Sequence, residues 1–286
     1  MVELVSLTIN VLLLGALYSL VAIGFTLIFG VGGVLNLAHG ALLTVGAYTA
    51  YYLTQFGTSI WVGALGALLV PAIVSIALYA GLIHRVRGNP VTVLILTLVV
   101  GLIVEQIVLV LTGTEPLVVS NLIEGRTTVV GDSVSNNRVT AFALSWVLIG
   151  ALFAFVNYTP TGKAILATSM SERGAAVVGI DSNRMYVYTW ALAGALAGIA
   201  GLFLASFQTA NPFMGRSPLL LSFAIVVLGG LGSIRGSVVG AYLISFLDQI
   251  TVTMISTRLS GVSALVVLVL VLLVKPEGLF GREYTH

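Results

Sequence analysis

Apolar runs alternate with short polar interruptions along the whole chain, and the first run is the longest. Between Glu3 and Arg85 there is no Asp, Glu, Lys or Arg. A bilayer core about 30 Å thick takes roughly 20 apolar residues per helix, so this stretch alone holds three or four spans. Reading each apolar run between polar breaks predicts segments over 6–30, 34–54, 61–83, 91–112, 139–157, 185–208, 218–230, 237–255 and 260–274.

Two interruptions need a physical account. Gly30-Val-Gly-Gly-Val-Leu-Asn-Leu-Ala-His-Gly40 places Asn36 and His39 among glycines inside the first run. Hydrocarbon accepts non-helical backbone only where protein or a water-filled cavity satisfies its polar groups, so a broken helix is expected near 30–40. The 218–230 segment is too short to cross comfortably, and Gly229-Gly-Leu-Gly232 follows it directly. An incomplete or re-entrant element is expected there, with its break near 229–236. The fold class is therefore all-α: a polytopic transmembrane helical bundle of about eight spans in nine or ten segments, one membrane domain over 1–286.

Composition agrees, with 58% hydrophobic and 8% charged residues and 32 glycines in 286 positions. That balance excludes a soluble domain. Cysteine is absent, which excludes disulfides and thiolate metal sites. A net charge of +2 comes from scattered flanking cations and not from a nucleic-acid patch. No Lys or Arg precedes the first apolar run and Glu3 does, which argues against a cleavable signal peptide.

With Lys275 and Arg282 placed in the cytoplasm, alternating the segments backwards puts Arg85, Arg87, Lys163, Arg173, Arg184 and Arg235 inside as well. Arg126, Arg138, Arg216 and Arg258 fall outside, and so does the N-terminus. Residues 113–138 become the external loop and 158–184 the largest cytoplasmic one. Within the latter, Lys163 to Val178 has the composition of a short amphipathic helix at the inner surface. Gly179-Ile180 reads as its stop and Asp181-Ser182-Asn183 as a cap for the next span. A plain connecting loop is the alternative.

Polar residues inside spans must find partners. Glu105 and Asp248 each lie within an apolar run, where they act either as a proton or ion relay or as interhelical hydrogen-bond formers, with Gln106 and Gln249 beside them as company. His39 stands without other metal ligands nearby, so packing or backbone capping outweighs a metal role. Gly194/Gly198 and Ala197/Gly201 form four-residue repeats that let helices approach closely. The glycines at 229–240 are followed by no Gly-Lys-Ser/Thr, so nucleotide binding is not expected. His39-Gly to Gly-Ala-Tyr48 is echoed by Arg235-Gly to Gly-Ala-Tyr242, as paired breaks in two halves would be.

Three stretches in order carry a family resemblance: Leu17 to Gly40, Ser171-Glu-Arg-Gly-Ala-Ala-Val-Val-Gly-Ile180, and Val227 to Ala241. The chain resembles the membrane-permease subunits of branched-chain amino acid ABC importers, and Gly40-Ala41 with Gly46-Ala47-Tyr48 is similar to the shorter, LivH-like subunit. The resemblance implies a second, LivM-like permease subunit, two cytoplasmic ATPases and an extracytoplasmic solute-binding protein. ATP would be used by those partners, with no cofactor or metal bound by this chain and no catalytic residues in it. It implies ATPase coupling through Ser171, Glu172, Arg173, Gly174, Ala175, Ala176, Gly179 and Ile180, although Glu172 is followed by Arg-Gly-Ala-Ala where many ABC permeases have Glu-Ala-Ala and a following glycine. Candidate pathway residues are Asn36, Leu37, His39 and Gly40 at the first break, with Phe223, Gly229, Gly230 and Gly232 at the second. The expected function is import of a small polar solute, branched-chain or other amino acids, across a prokaryotic cell membrane. Similar permeases for urea or short amides are an alternative, and an ion-coupled secondary transporter using Glu105 and Asp248 is a reading from a different class.

Overall fold

The structure, a computed structural model, describes residues 2–275 and 277–280; Arg282, used in the charge count above, lies outside the described residues. Helices α1 (Val2–Gly32) and α2 (His39–Gln55) are followed by α3 (Ile60–Leu78), which continues through a π turn (Tyr79–Ile83) into the short α4 (His84–Val86), and then by α5 (Pro90–Thr112). Strands β1 (Arg126–Val129) and β2 (Asp132–Ser135) precede α6 (Asn136–Tyr158), α7 (Pro160–Met170), α8 (Glu172–Val177) and α9 (Ser182–Phe207). The chain ends with α10 (Arg216–Gly229), α11 (Ile234–Ile250) with a further π turn (Thr251–Ile255), and α12 (Val262–Val274).

Every apolar segment expected from the sequence is a helix. Among the described residues, six helices are long and apolar enough to cross a membrane, while α10 and α12 are shorter apolar helices. Two of the six form the centre: 83% of the most apolar stretch of α1 and 72% of that of α9 are buried inside the protein, against 22–28% for the others. Small residues make this packing close. A Cβ on Gly194 would lie 2.5 Å from the Pro71 carbonyl oxygen of α3, and Gly198 and Gly201 of α9 meet the backbones of Gly46, Ala67 and Leu43 directly.

The structure differs from the expectation in two places. Residues 126–135 form an antiparallel hairpin in the 113–138 loop expected to be external, paired from Arg126↔Ser135 to Val129↔Asp132. Its two-residue turn, Val130 (φ 49°) and Gly131 (φ 86°), has the positive φ values that match the twist of the flanking strands. The single helix expected over Lys163–Val178 is divided into α7 and α8 at Ser171, whose backbone is extended (φ −161°, ψ 112°). The Ser171 hydroxyl accepts from the Gly174 N–H at 3.0 Å, so a capping residue restarts the helix at an angle instead of continuing it. The stop at Gly179 (φ 83°) and the Asp181 cap of α9 fall where the sequence places them.

Candidate functional site

The first break is held from three sides. After Gly32 the chain turns at Gly33 (φ 61°) and stays non-helical to Ala38. The Leu37 N–H donates to Thr97 Oγ1 at 3.1 Å, the Ala38 N–H to Asn36 Oδ1 at 3.1 Å, and His39 Nε2 to the Val21 carbonyl at 3.1 Å. Val21 lies about 16 Å back along α1 from Gly32 at 1.5 Å per residue. Helix α2 therefore begins within the depth of the bundle and not at the end of α1. Asn36 is 1% exposed and His39 fully buried, so protein encloses the non-helical backbone, as hydrocarbon requires. Asn36 Nδ2 and His39 Nδ1 find no partner among the described residues. Gly101 of α5 lies against this stretch of backbone, a Cβ there standing 3.4 Å from the Leu37 carbonyl oxygen, at ordinary contact distance.

At the second break α10 ends at Gly229, the chain reverses through Gly230 (φ 102°) and Gly232 (φ 82°), and the Ser233 hydroxyl caps α11 by accepting from the Gly236 N–H at 3.0 Å. Gly229 and Gly236 touch backbone to backbone. The two breaks meet, since a Cβ on Gly30 would lie 3.4 Å from the Gly232 Cα. The starts of α2 and α10 also meet, a Cβ on Gly40 falling 2.6 Å from the Gly215 carbonyl oxygen. Phe223 joins the same cluster through Phe25, at 6.4 Å between ring centroids, and Phe25 packs edge-on against His39 at 5.8 Å. Leu37 and Phe223 are half-buried, Gly40, Gly229 and Gly230 buried, and Gly232 exposed.

The charged residues in the spans have partners that the sequence did not indicate. Glu105 is bonded to Arg216, whose Nε lies 3.1 Å from both carboxylate oxygens and whose Nη2 lies 2.7 Å from Oε2. Gln106, one residue on, points about 100° around the helix and is exposed on the far side of α5. A carboxylate left alone at a helix centre would cost on the order of 2.5–3.5 kcal/mol, and the pair removes that penalty. Arg216 is thus the first residue of α10 and ion-paired to α5, with its side chain still 55% exposed. Asp248 accepts from the Gly261 N–H at 2.6 Å and from the hydroxyls of Ser260 and Ser263 at 3.3 and 3.4 Å, which ties the start of α12 to α11. Gln249 is not among these partners.

At the opposite end of α9 from the 113–138 loop, α7 and α8 make a small platform. Glu172 pairs with Arg87 at 2.9 Å. The Arg87 guanidinium stands 5.0 Å over the Tyr186 ring, Tyr186 stacks on Tyr79 at 5.6 Å, and the Tyr79 hydroxyl donates to Asn183 Oδ1 at 2.8 Å. Ala175 faces the bundle at 3% exposure, and Ile180 packs beneath it half-buried. Ser171, Glu172, Arg173, Gly174, Ala176 and Gly179 are exposed. Leu166, Met170, Val177 and Val178 present apolar surface beside them, Val177 being 87% exposed.

This arrangement defines a polytopic helical membrane protein with two contiguous helix breaks and an anchored surface platform at one end. Residues 7–274 match the model of the branched-chain amino acid transport system permease component, and the chain belongs to that family. It is 30% identical to the high-affinity branched-chain amino acid transport permease protein LivH of Escherichia coli K12, across 96% of this chain and 94% of the relative. It is 28% identical to the permease BraD of Pseudomonas aeruginosa, with the same coverage. The ribose import permease RbsC of Haemophilus influenzae is 27% identical over 84% of this chain and 75% of its own. No solved structure matches the chain.

Proposed function

We propose that this chain is the permease subunit of an ABC importer for branched-chain or other amino acids, forming the pathway together with a second, LivM-like permease subunit. The α7–α8 platform carries the reading: a short helix pair with an apolar exposed face, fastened to the span ends by Glu172–Arg87, has the construction of a docking point for another protein. One of two cytoplasmic ATPases would bind there, and the two would supply ATP hydrolysis, for which this chain has no nucleotide motif. Closure of the ATPases would reach α3 and α9 through Arg87 and Tyr186, as a rigid-body shift between packings.

The same reading carries an orientation. Arg87, Arg173 and Arg184 lie at the platform end, and the positive-inside tendency supports reading that end as cytoplasmic and the N-terminus as outside. The hairpin and a polar cavity of about 370 Å³ beneath it, lined by Asn10, Asn121, Asn137 and Arg138 among others, form the surface that receives the solute-binding protein.

Arg173→Glu combined with Val177→Asp is expected to lower solute-stimulated ATP hydrolysis of the reconstituted complex more than tenfold while the permease pair still assembles. Solute uptake by the purified chain under a proton or sodium gradient, with no ATPase present, would overturn the proposal in favour of a secondary transporter.

A further inference from the structure

Arg216 is the one described cation bonded to a carboxylate within a membrane span, and half of its side chain, 55%, remains exposed on the surface of this chain. Its depth follows from two neighbours. Glu105 sits about 10 Å inside the outer end of α5, counting from Thr112 at 1.5 Å per residue. Gly215 touches Gly40, which lies about 22 Å inside the end of α2 at Gln55 on the same count. An exposed guanidinium at that depth does not face lipid; intramembrane charges face a bundle interior or a water-filled cavity. The exposed face of Arg216 therefore looks onto a neighbouring subunit or a water-filled cavity.

We infer that Arg216, held by Glu105 and standing on Phe213, is a carboxylate-recognition point in the pathway, taking a small solute that bears a free carboxylate. The bonds to Glu105 use Nε and Nη2, leaving Nη1 without a partner among the described residues. The Phe213 ring lies 4.5 Å from the guanidinium carbon and, with Glu105, limits how the fork can turn. A planar fork with free N–H groups matches carboxylate geometry in a way that an ammonium does not. Glu105 already neutralises most of the charge, so a passing carboxylate is bound weakly enough to leave, which a conduit requires. The inference rests on the amino-acid reading above and names the solute group that the permease itself reads.

The experiment uses the complete complex in proteoliposomes, loaded with ATP and given L-leucine through the binding protein, and reads leucine moved per ATP hydrolysed. Arg216→Gln is expected to lower that ratio at least tenfold, and Arg216→Lys, which keeps the charge and loses the fork, to fall between. Size-exclusion of each complex guards against misfolding. A ratio equal to wild type in Arg216→Gln, or uptake and hydrolysis that fall in proportion in both variants, would overturn the assignment alone, the second outcome marking Arg216 as structural. Wild-type vesicles that move a carboxylate-free solute and no amino acid would overturn the amino-acid reading and this assignment together.

Discussion

Asp248 separates two chemistries at the scale of one residue. Its carboxylate is already occupied by the Gly261 N–H and two serine hydroxyls, which is the work of a helix cap and not of an ion site. Asp248→Asn retains a carbonyl acceptor for Gly261 and is expected to keep ATP-driven uptake within about twofold, whereas Asp248→Ala should lower stability by about 0.5–2 kcal/mol, the usual value of a lost cap acceptor. Uptake by the reconstituted complex and thermal unfolding in detergent check the two halves, and loss of transport in the asparagine variant would restore the relay. Glycines give a second test at this scale. A side chain at Gly215 would run into the Gly40 carbonyl, so Gly215→Val is expected to cost about 1–3 kcal/mol through overpacking and to lower the thermal midpoint measurably. Residue by residue, the sequence exposed which positions were anomalous but not what they touched. Glu105 and Asp248 were visible as carboxylates needing partners, yet Arg216 is 111 residues from Glu105, and no local pattern links them. Gln106 was near in sequence and is on the wrong side of the helix.

Among the elements, α7 and α8 illustrate how an anchor and a docking face differ in energetic weight. The Arg87 and Glu172 side chains are 32% and 44% exposed, so their pair contributes only about 0.2–1 kcal/mol. Glu172→Ala is therefore expected to reduce solute-stimulated ATP hydrolysis two- to fivefold. The exchange Arg87→Glu with Glu172→Arg should recover only part of it, because it restores the ion pair but loses the guanidinium over the Tyr186 ring. A double-mutant cycle on that activity measures the coupling, and additive losses without recovery would mean that each residue contacts something else. The helix break at Ser171 was legible in principle. Ser171 stands three residues before Gly174 in an otherwise helix-forming run, and a serine that can cap competes with continuing the helix. The hairpin at 126–135 carried a comparable signal, β-branched residues on either side of Val130-Gly131, overlooked because the polar loop suggested no strand. The helices themselves were readable because backbone in lipid has few alternatives, and the breaks because glycine, Asn36 and His39 are poor company for hydrocarbon.

For the whole molecule, the 113–138 loop is tied to the segment between α9 and α10 by a reciprocal pair: the Leu117 N–H donates to the Ala210 carbonyl and the Ala210 N–H to that of Leu117, both at 2.8 Å. This joins the C-terminal ends of α5 and α9 close to the start of α10, where Arg216 stands. Residues exchanging both bonds in an antiparallel pair have Cα atoms about 5.5 Å apart, inside the 4.4–6.8 Å range of a disulfide. The natural chain contains no cysteine, so a crosslink between two introduced ones has a single assignment. Leu117→Cys with Ala210→Cys is expected to oxidise within each chain, read as a mobility shift reversed by reductant and as a linked peptide by mass spectrometry. The link should raise thermal stability, because it closes a long loop that the unfolded chain would otherwise leave open. Neither single variant should shift. A double variant that stays reduced under the same oxidant, in a complex that has assembled, would separate the 113–138 loop from the α9–α10 connection and overturn this pairing.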